Sequence, residues 1–366
     1  MSRVGTVPVV LVTGIDATAM ASVTIGCQWD LPRAVVVRHD LHVEAQQLHR
    51  VVSDADGVVE QVVHQLDHAC VSCALREDII PTLERLCADG RWEAVVAHLP
   101  VAAEAVQVCR LLELDPTTAP HARISSVVTA LEGSTLAVDL LGDDLLRERG
   151  LHAAPDDDRG VAETCSSLVE YADLLAVTGA SDAEGRALLR ALARPGVELV
   201  PDTSRLDGRG LLEGLHQHVR TEAWVSPTRP PTVPLVVNRH TWSLELSSVR
   251  PFHPERLLDG IELLGSAGVR TRGCFWLPTR PGDVGVWDGA GGQLSIGTGS
   301  PWGSTRPFTR ISVTGTTASR GRIGRLREDF DRLLLDDAEI EARGMLWEAF
   351  SDGFEPWLGA IRRAAA

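Results

Sequence analysis

At 366 residues the chain is long enough for two domains with real cores. Its hydrophobic fraction of 44% and charged fraction of 23% are those of an ordinary globular protein, and no apolar run reaches the length a membrane-spanning helix needs. A formal charge of −15 argues against direct, sequence-specific binding of nucleic acid, because a phosphate backbone repels a net anion. All 35 basic residues are arginine, which excludes any mechanism that needs a lysine. Seven cysteines, an odd number with no export signal legible in MSRVGTVPVVLVTG, predict reduced thiols and a cytoplasmic protein.

Val7–Val12 is a short run rich in valine that ends at Thr13-Gly14 and reads as a buried parallel strand. Comparable runs follow at Ala34–Val37, Ala94–Ala97, Ile124–Ala130 and Leu174–Thr178. Helical patterns lie between them, among them Arg76–Ala88 with Ile79, Ile80, Leu83 and Leu86 on one face. Strand and helix alternating at these intervals predict βαβ units around a parallel sheet, an α/β domain over residues 1–225. The segment SPTRPPTVP at 226–234 carries four prolines and reads as a linker, since no helix or central strand runs through it. Beyond it, over 235–366, strand-like segments (Thr241–Leu246, Thr271–Leu277, Val284–Trp287, Gln293–Ile296, Thr309–Val313) mix with helical ones (Pro254–Gly265, Ile323–Leu335). That mixture predicts a smaller α+β domain with a mostly antiparallel sheet.

Few clusters carry chemistry on their own. Cys70 and Cys73 form a C-x-x-C pair with His68 and His64 just upstream, and such a mixed Cys/His set suits a soft or borderline ion such as zinc. Two packed, reduced thiols are the bland alternative. Cys27, Cys87, Cys109, Cys165 and Cys274 read as small buried hydrophobes. His39, Asp40 and His42 look like metal ligands but have no second cluster to support them, and an exposed loop is the favoured reading. His216 and His218 stand two apart, a spacing that on a helix points side chains away from each other. His253 reads as part of a structural turn. The arginines between Arg306 and Arg327 read as a solvated helix face, or as a patch for RNA or an acidic protein. No Gly-X-Ser-X-Gly elbow or paired-carboxylate arrangement is present.

Three stretches in order resemble the CobW-like family of P-loop GTPases: the strand and Gly-turn Val9–Gly14, the segment Ala69–Asp78, and the long run Arg250–Leu257, Val269–Leu277, Ala290-Gly291-Gly292 and Trp302. The resemblance implies a P-loop NTPase-like parallel-sheet domain followed by a CobW C-terminal-like domain. A phosphate loop needs backbone N–H groups at a helix start, a lysine, and a Ser/Thr hydroxyl for magnesium. Here Gly14 keeps the first glycine, but Ala19, Met20 and Ala21 stand at the second glycine, the lysine and the hydroxyl; Ser22 offers a hydroxyl one place later. Gly14 and Ser22 are therefore the remnant cofactor-binding positions. The guanine-recognition loop is likewise replaced, by Thr178-Gly179-Ala180-Ser181, unless Asp182 takes the carboxylate's place, and Ala97-His98-Leu99 lacks the expected glutamate.

These losses argue against GTP as a cofactor and against GTP hydrolysis. The family's metal segment implies Cys70 and Cys73 as zinc ligands, with Ser72 in place of the middle cysteine, and His68 is the candidate that completes the set. Within the family the chain most resembles the degenerate branch that recruits ribosome hibernation factors. That branch implies a non-hydrolysing adaptor that brings such a factor to the ribosome when zinc is scarce. The competing reading is a zinc metallochaperone or zinc-homeostasis GTP-binding protein.

Overall fold

The computed structural model describes residues 6–68, 70–230, 238–265, 268–349 and 351–361. The chain divides into two compact units, one made of Met1–Asp139 and Asp144–Trp224, the other of Leu140–Asp143 and Val225–Ala366. Residues 231–234 of the Pro-rich segment read as a linker lie outside the described residues.

The first unit is built on an eight-stranded sheet: β1 (Val7–Gly14), β2 (Ala34–His42), β3 (Gln47–Asp54), β4 (Gly57–Gln65), β5 (Ala94–His98), β6 (Ala122–Glu132), β7 (Leu174–Thr178) and β8 (Glu198–Val200), in the order β4-β3-β2-β5-β1-β6-β7-β8. β1 pairs in parallel with both β5 and β6. Covered on both faces, such a central strand reads as an unbroken apolar run, and β1 is buried from Val9 to Gly14. One face packs on the helix α1 (Ala17–Asp30), where Val10, Val12, Val36, Val96, Val128, Met20 and Val23 form a common core.

The sheet is parallel through its centre, as expected, and one edge adds an antiparallel hairpin. β3 runs antiparallel to both β2 and β4, so a hairpin extends one edge. Its turn is set by Asp54, whose carboxylate accepts from the N–H groups of Asp56 (2.9 Å) and Gly57 (3.2 Å), and by Gly57 at φ +134°. The hairpin also moves His39 and His42 out of the loop assigned to them: both lie on β2, and His39 is fully buried.

The second unit holds a five-stranded antiparallel sheet, β9 (Thr241–Ser248), β10 (Val269–Phe275), β11 (Gly285–Ala290), β12 (Gln293–Thr298) and β13 (Thr309–Thr316), in the order β12-β11-β10-β13-β9. The helices Pro254–Leu264 and Ile323–Leu333 complete the α+β layout. Its core is aromatic: Phe252 lies 5.9 Å from Phe275 and 5.6 Å from Phe330 between ring centroids, with Trp242, Trp287 and Phe354 buried around them. A buried fork closes the unit, as Arg280 donates to Asp352 through Nε (2.7 Å) and a terminal nitrogen (3.1 Å) while Thr279 donates at 2.7 Å. His253 caps the helix Pro254–Leu264, as its reading as a turn residue required. In the arginine-rich stretch, Arg310 and Arg320 donate to the carbonyls of Arg229 and Asn238, and Arg325 pairs with Asp329. Among the described residues no helix is long and apolar enough to cross a membrane.

β10 runs so close to β13 that a Cβ on Gly273 would stand 1.9 Å from the Arg310 carbonyl oxygen. Gly273→Ala is expected to destabilise the second unit by about 2 kcal/mol or more, read by denaturant unfolding. Gly282→Ala, where a Cβ meets nothing within 4 Å, serves as control and should stay within about 0.5 kcal/mol of the parent.

Candidate metal centre and the turn after the first strand

The turn between β1 and α1 is the place where the remnant phosphate loop was expected. A loop that cradles phosphates needs four residues between its glycines before the helix begins. Here α1 starts at Ala17, so only Ile15 and Asp16 separate strand from helix. Asp16 is the N-cap, its carboxylate accepting from the Ala19 N–H at 2.7 Å. A carboxylate thus already takes up an N–H that a bound phosphate would need, and it carries the same sign of charge. Met20 is fully buried and lies under the turn. A Cβ on Gly14 would come within 2.7 Å of the Ala130 carbonyl oxygen and 2.8 Å of Met20 Cγ, so this glycine is required by packing. Ser22 is turned back onto its own helix, donating to the Thr18 carbonyl at 2.9 Å. The structure therefore does not bring Gly14 and Ser22 together around an open loop.

The neighbouring motif positions are also committed to structure. His98, at the end of β5, is buried and shares a 3.0 Å hydrogen bond with the Thr24 hydroxyl, which itself donates to the Met20 carbonyl. Burial, then the nearby Arg38 charge, pushes the His98 imidazole down to about 4, so it is neutral near pH 7. Asp182 does not stand in for a guanine-binding carboxylate: it caps the helix Ala183–Leu192, accepting from the Gly185 N–H at 2.6 Å. Glu132 accepts from the backbone and hydroxyl of Ser134 and from Thr178, and these bonds hold its carboxyl below the ordinary range.

The thiol segment follows β4. Cys70 is the N-cap of Val71–Ala74, a short helix that runs on through a π turn (Leu75–Ile79) into the helix Ile80–Ala88. The π turn has a cause in sequence: Pro81 has no N–H to donate and its ring crowds the carbonyl one turn earlier. Cys70 Sγ accepts from the Cys73 N–H at 3.1 Å and lies 2.8 Å from Cys73 Sγ. The contact with Cys70 raises the Cys73 thiol above its ordinary value, while a hydrogen bond from Arg76 works against the rise. Two soft donors are thus preassembled, but they hold a proton that a metal has to displace.

His68 is exposed in the loop before them. His64 is committed elsewhere: on β4 its Nε2 lies 2.7 Å from Asp78. Among the described residues no three His, Cys, Asp or Glu side chains converge as a metal site. The remaining five cysteines are buried, and desolvation raises all five thiols, Cys27, Cys87 and Cys274 to about 12.

Asp78, on the π turn, anchors this segment to the sheet. It meets His39 Nε2 at 2.9 Å, His64 Nε2 at 2.7 Å and the Arg50 guanidinium, which also reaches Thr82 (2.9 Å) and Glu60 (3.0 Å). Burial acts to raise the Asp78 carboxyl, but the bond from His39 and the surrounding positive charges hold it below its ordinary value. Desolvation lowers His39, whose Nε2 donates to Asp78. Arg50 supplies the cation that balances Asp78 here. The signal that marked Asp78 in the sequence was its position on the helix after the thiols; its partners on β2 and β3 needed the unread hairpin.

Residues 241–334 match the cobalamin synthesis protein cobW C-terminal domain. A protein of Mycobacterium tuberculosis named a zinc chaperone is 29% identical over 308 residues, covering 81% of this chain and 74% of that protein. Zinc-regulated GTPase metalloprotein activator 1 of Dictyostelium discoideum is 22% identical over 258 residues, covering 65% of this chain and 54% of its own. Among solved structures, the Zn(II)-bound YjiA GTPase from E. coli is 16% identical with a TM-score of 0.37, over 90% of this chain and 100% of that one. These findings show a cobW C-terminal domain at residues 241–334 and a likeness to the mycobacterial protein over most of the chain.

Two outcomes are expected from the turn and its neighbours. A fluorescent GTP analogue with magnesium should show no saturable micromolar binding, and Met20→Lys should not create it, because Asp16 and the short turn remain; saturable binding by the parent would overturn this account. His98 binds its proton less readily folded than unfolded, so the unfolded state takes up more protons between pH 6.5 and about 4. Its share of stability is complete above pH 6.5 and lost on acidification through that window, at most about 3 kcal/mol. His98→Gln should flatten that part of the stability–pH profile measured by denaturant unfolding.

Proposed function

We propose that this CobW-like chain is a zinc-homeostasis protein that takes up Zn²⁺ as cargo through Cys70 and Cys73, and that it works without a guanine-nucleotide switch. The observation that carries the reading is the thiol pair itself: two sulfurs 2.8 Å apart at the start of a helical segment that Asp78 ties to the sheet. Thiolates suit Zn²⁺, with bonds of about 2.3 Å, and a tetrahedral ion takes four donors. Two sulfurs alone leave positions open, so His68, exposed two residues upstream of Cys70, is the third donor in this proposal, and water or a receiving protein supplies the rest.

The chain's own residues do the remaining work. Cys70 and Cys73 release their protons on loading, Arg76 favours the thiolate of Cys73, and the π turn holds the pair at the helix start. The names of the two relatives support zinc homeostasis over ribosome-hibernation recruitment, which rests on the resemblance alone. The two-residue turn and the Asp16 cap support a nucleotide-independent mode.

Competition with a chromophoric zinc chelator tests the reading. The parent should compete for Zn²⁺ more weakly as pH falls, because the thiol protons compete with the ion. Cys70→Ser with Cys73→Ser should lose this thiol-dependent binding, and His68→Ala should weaken it by about tenfold or less. Unchanged competition in the double serine variant would refute the thiol site.

A further inference from the structure

A second group of donors lies at the opposite end of the same sheet. A cavity of about 600 Å³ opens at the amino ends of β1 and β6, where Thr6, Ala122, Arg123 and Ile124 form its rim. The turn after β1 lies at the carboxyl ends of these strands, the end where open α/β sheets bind their usual ligands. The cavity therefore belongs to neither site described above.

Into it project His216 and His218. The sequence spacing suggested that a helix would separate them. The helix His218–Val225 begins only at His218, however, and the His216 N–H is bonded to the Ser125 carbonyl on β6 at 2.8 Å, so the two are not on one helix. The two rings lie 6.1 Å apart between centroids.

His216 is held as a ligand is held. Its side chain is 5% exposed, and its Nδ1 donates to Asp173 at 2.9 Å. Asp173 is itself fixed by the Val127 N–H (2.9 Å) and Arg194 (2.6 Å), so the tautomer is set from behind. The lone pair is then on Nε2, a buried atom with no hydrogen-bond partner among the described residues, and Nδ1 of His218 is in the same state. A buried acceptor without a partner is expensive, and an imidazole whose second nitrogen donates to a carboxylate is the usual arrangement of a metal-bound histidine.

We infer that His216 Nε2 and His218 Nδ1 hold a divalent transition-metal ion of the Zn²⁺ class, with water in the remaining positions. Imidazole nitrogen is a borderline donor that takes Zn²⁺ and Co²⁺ readily, and a chain of net charge −15 attracts a dication where it repels an anionic ligand. Zn–N bonds of about 2.0–2.1 Å bring two rings on one tetrahedral ion to within roughly 5–6 Å of each other. Rotation of His218 closes that small difference. Cys109, Glu113 and His121 also line the cavity, but among the described residues no three such side chains converge on one point, which makes an open, exchangeable site.

The inference is independent of the thiol reading, and the test separates them. The Cys70→Ser, Cys73→Ser double variant is titrated with Co²⁺ and with Zn²⁺. It should bind one ion per chain, with visible Co²⁺ bands free of sulfur charge transfer and with a Zn²⁺-dependent rise in Tm. Adding His218→Gln, which leaves the Asp173 cluster intact, should weaken binding at least tenfold and abolish the Tm rise. His216→Gln should do the same, its folding being checked by far-UV circular dichroism. A double serine variant that binds no ion, or one whose affinity survives His218→Gln, overturns the site. A parent that binds no more metal than the double serine variant sinks the thiol reading and leaves this site standing.

Discussion

The hydrogen bond from the Ala19 N–H to the Asp16 carboxylate fixes what the first unit can be. A helix end has orphan N–H groups, and something has to satisfy them. In a nucleotide-binding fold the ligand's phosphates do so; here the chain supplies its own anion. Once that cap forms, the helix begins early, the turn shrinks to Ile15 and Asp16, and Met20 falls on the buried face of α1. The apolar packing beneath and the cap above are mutually dependent. Met20 fills the space under Gly14 and its carbonyl receives the Thr24 hydroxyl, which in turn holds a neutral His98. The turn has become a structural joint between strand and helix.

A chain without lysine also shows how arginine takes over internal charge balance. Arg50 serves Asp78, Glu60 and Thr82; Arg194 serves Asp173; Arg280 serves Asp352. The guanidinium is planar and carries several donors, so one arginine can satisfy two acceptors at fixed angles, as an ammonium on a flexible stem does not. Each cluster joins elements distant in sequence. Arg50 pins the hairpin to the helical run after the thiols, and Arg280 holds the segment around Asp352 to the second unit's core. Removing one partner of such a buried pair leaves an unpaired charge, and that asymmetry makes the clusters exacting even where their net contribution is small.

Central strands were legible in the sequence because Val9–Val12, Val35–Val37 and Val127-Val128 are buried on both faces and need no alternation. The antiparallel second sheet was legible from the strand-like segments between Thr241 and Val313. The β3–β4 hairpin was not, because its strands carry charged residues, valines in pairs and an exposed face on β4. With it went the positions of His39, His64 and Arg50, whose neighbours are set by register across strands and by no spacing along the chain. His216 and His218 were misjudged through one local fact, the residue at which a helix starts. That Ala19, Met20 and Ala21 depart from a phosphate-loop pattern could be read residue by residue; that Asp16 caps α1 at this turn required the backbone path.

Under the proposed reading the absence of a switch has a chemical consequence. A nucleotide cycle can drive release of a tightly held ion by changing the shape of its site. Without one, release has to come from ligand exchange, and exchange is fastest where coordination is incomplete. Cys70 and Cys73 fit that requirement better than a closed set of four, since an incoming donor can enter before either sulfur leaves. The other five cysteines take no part in such a relay: burial keeps their thiols protonated and out of reach. The fold thus separates two populations of sulfur by solvent access alone, and only the pair at the start of the helical run after β4 is placed to trade metal.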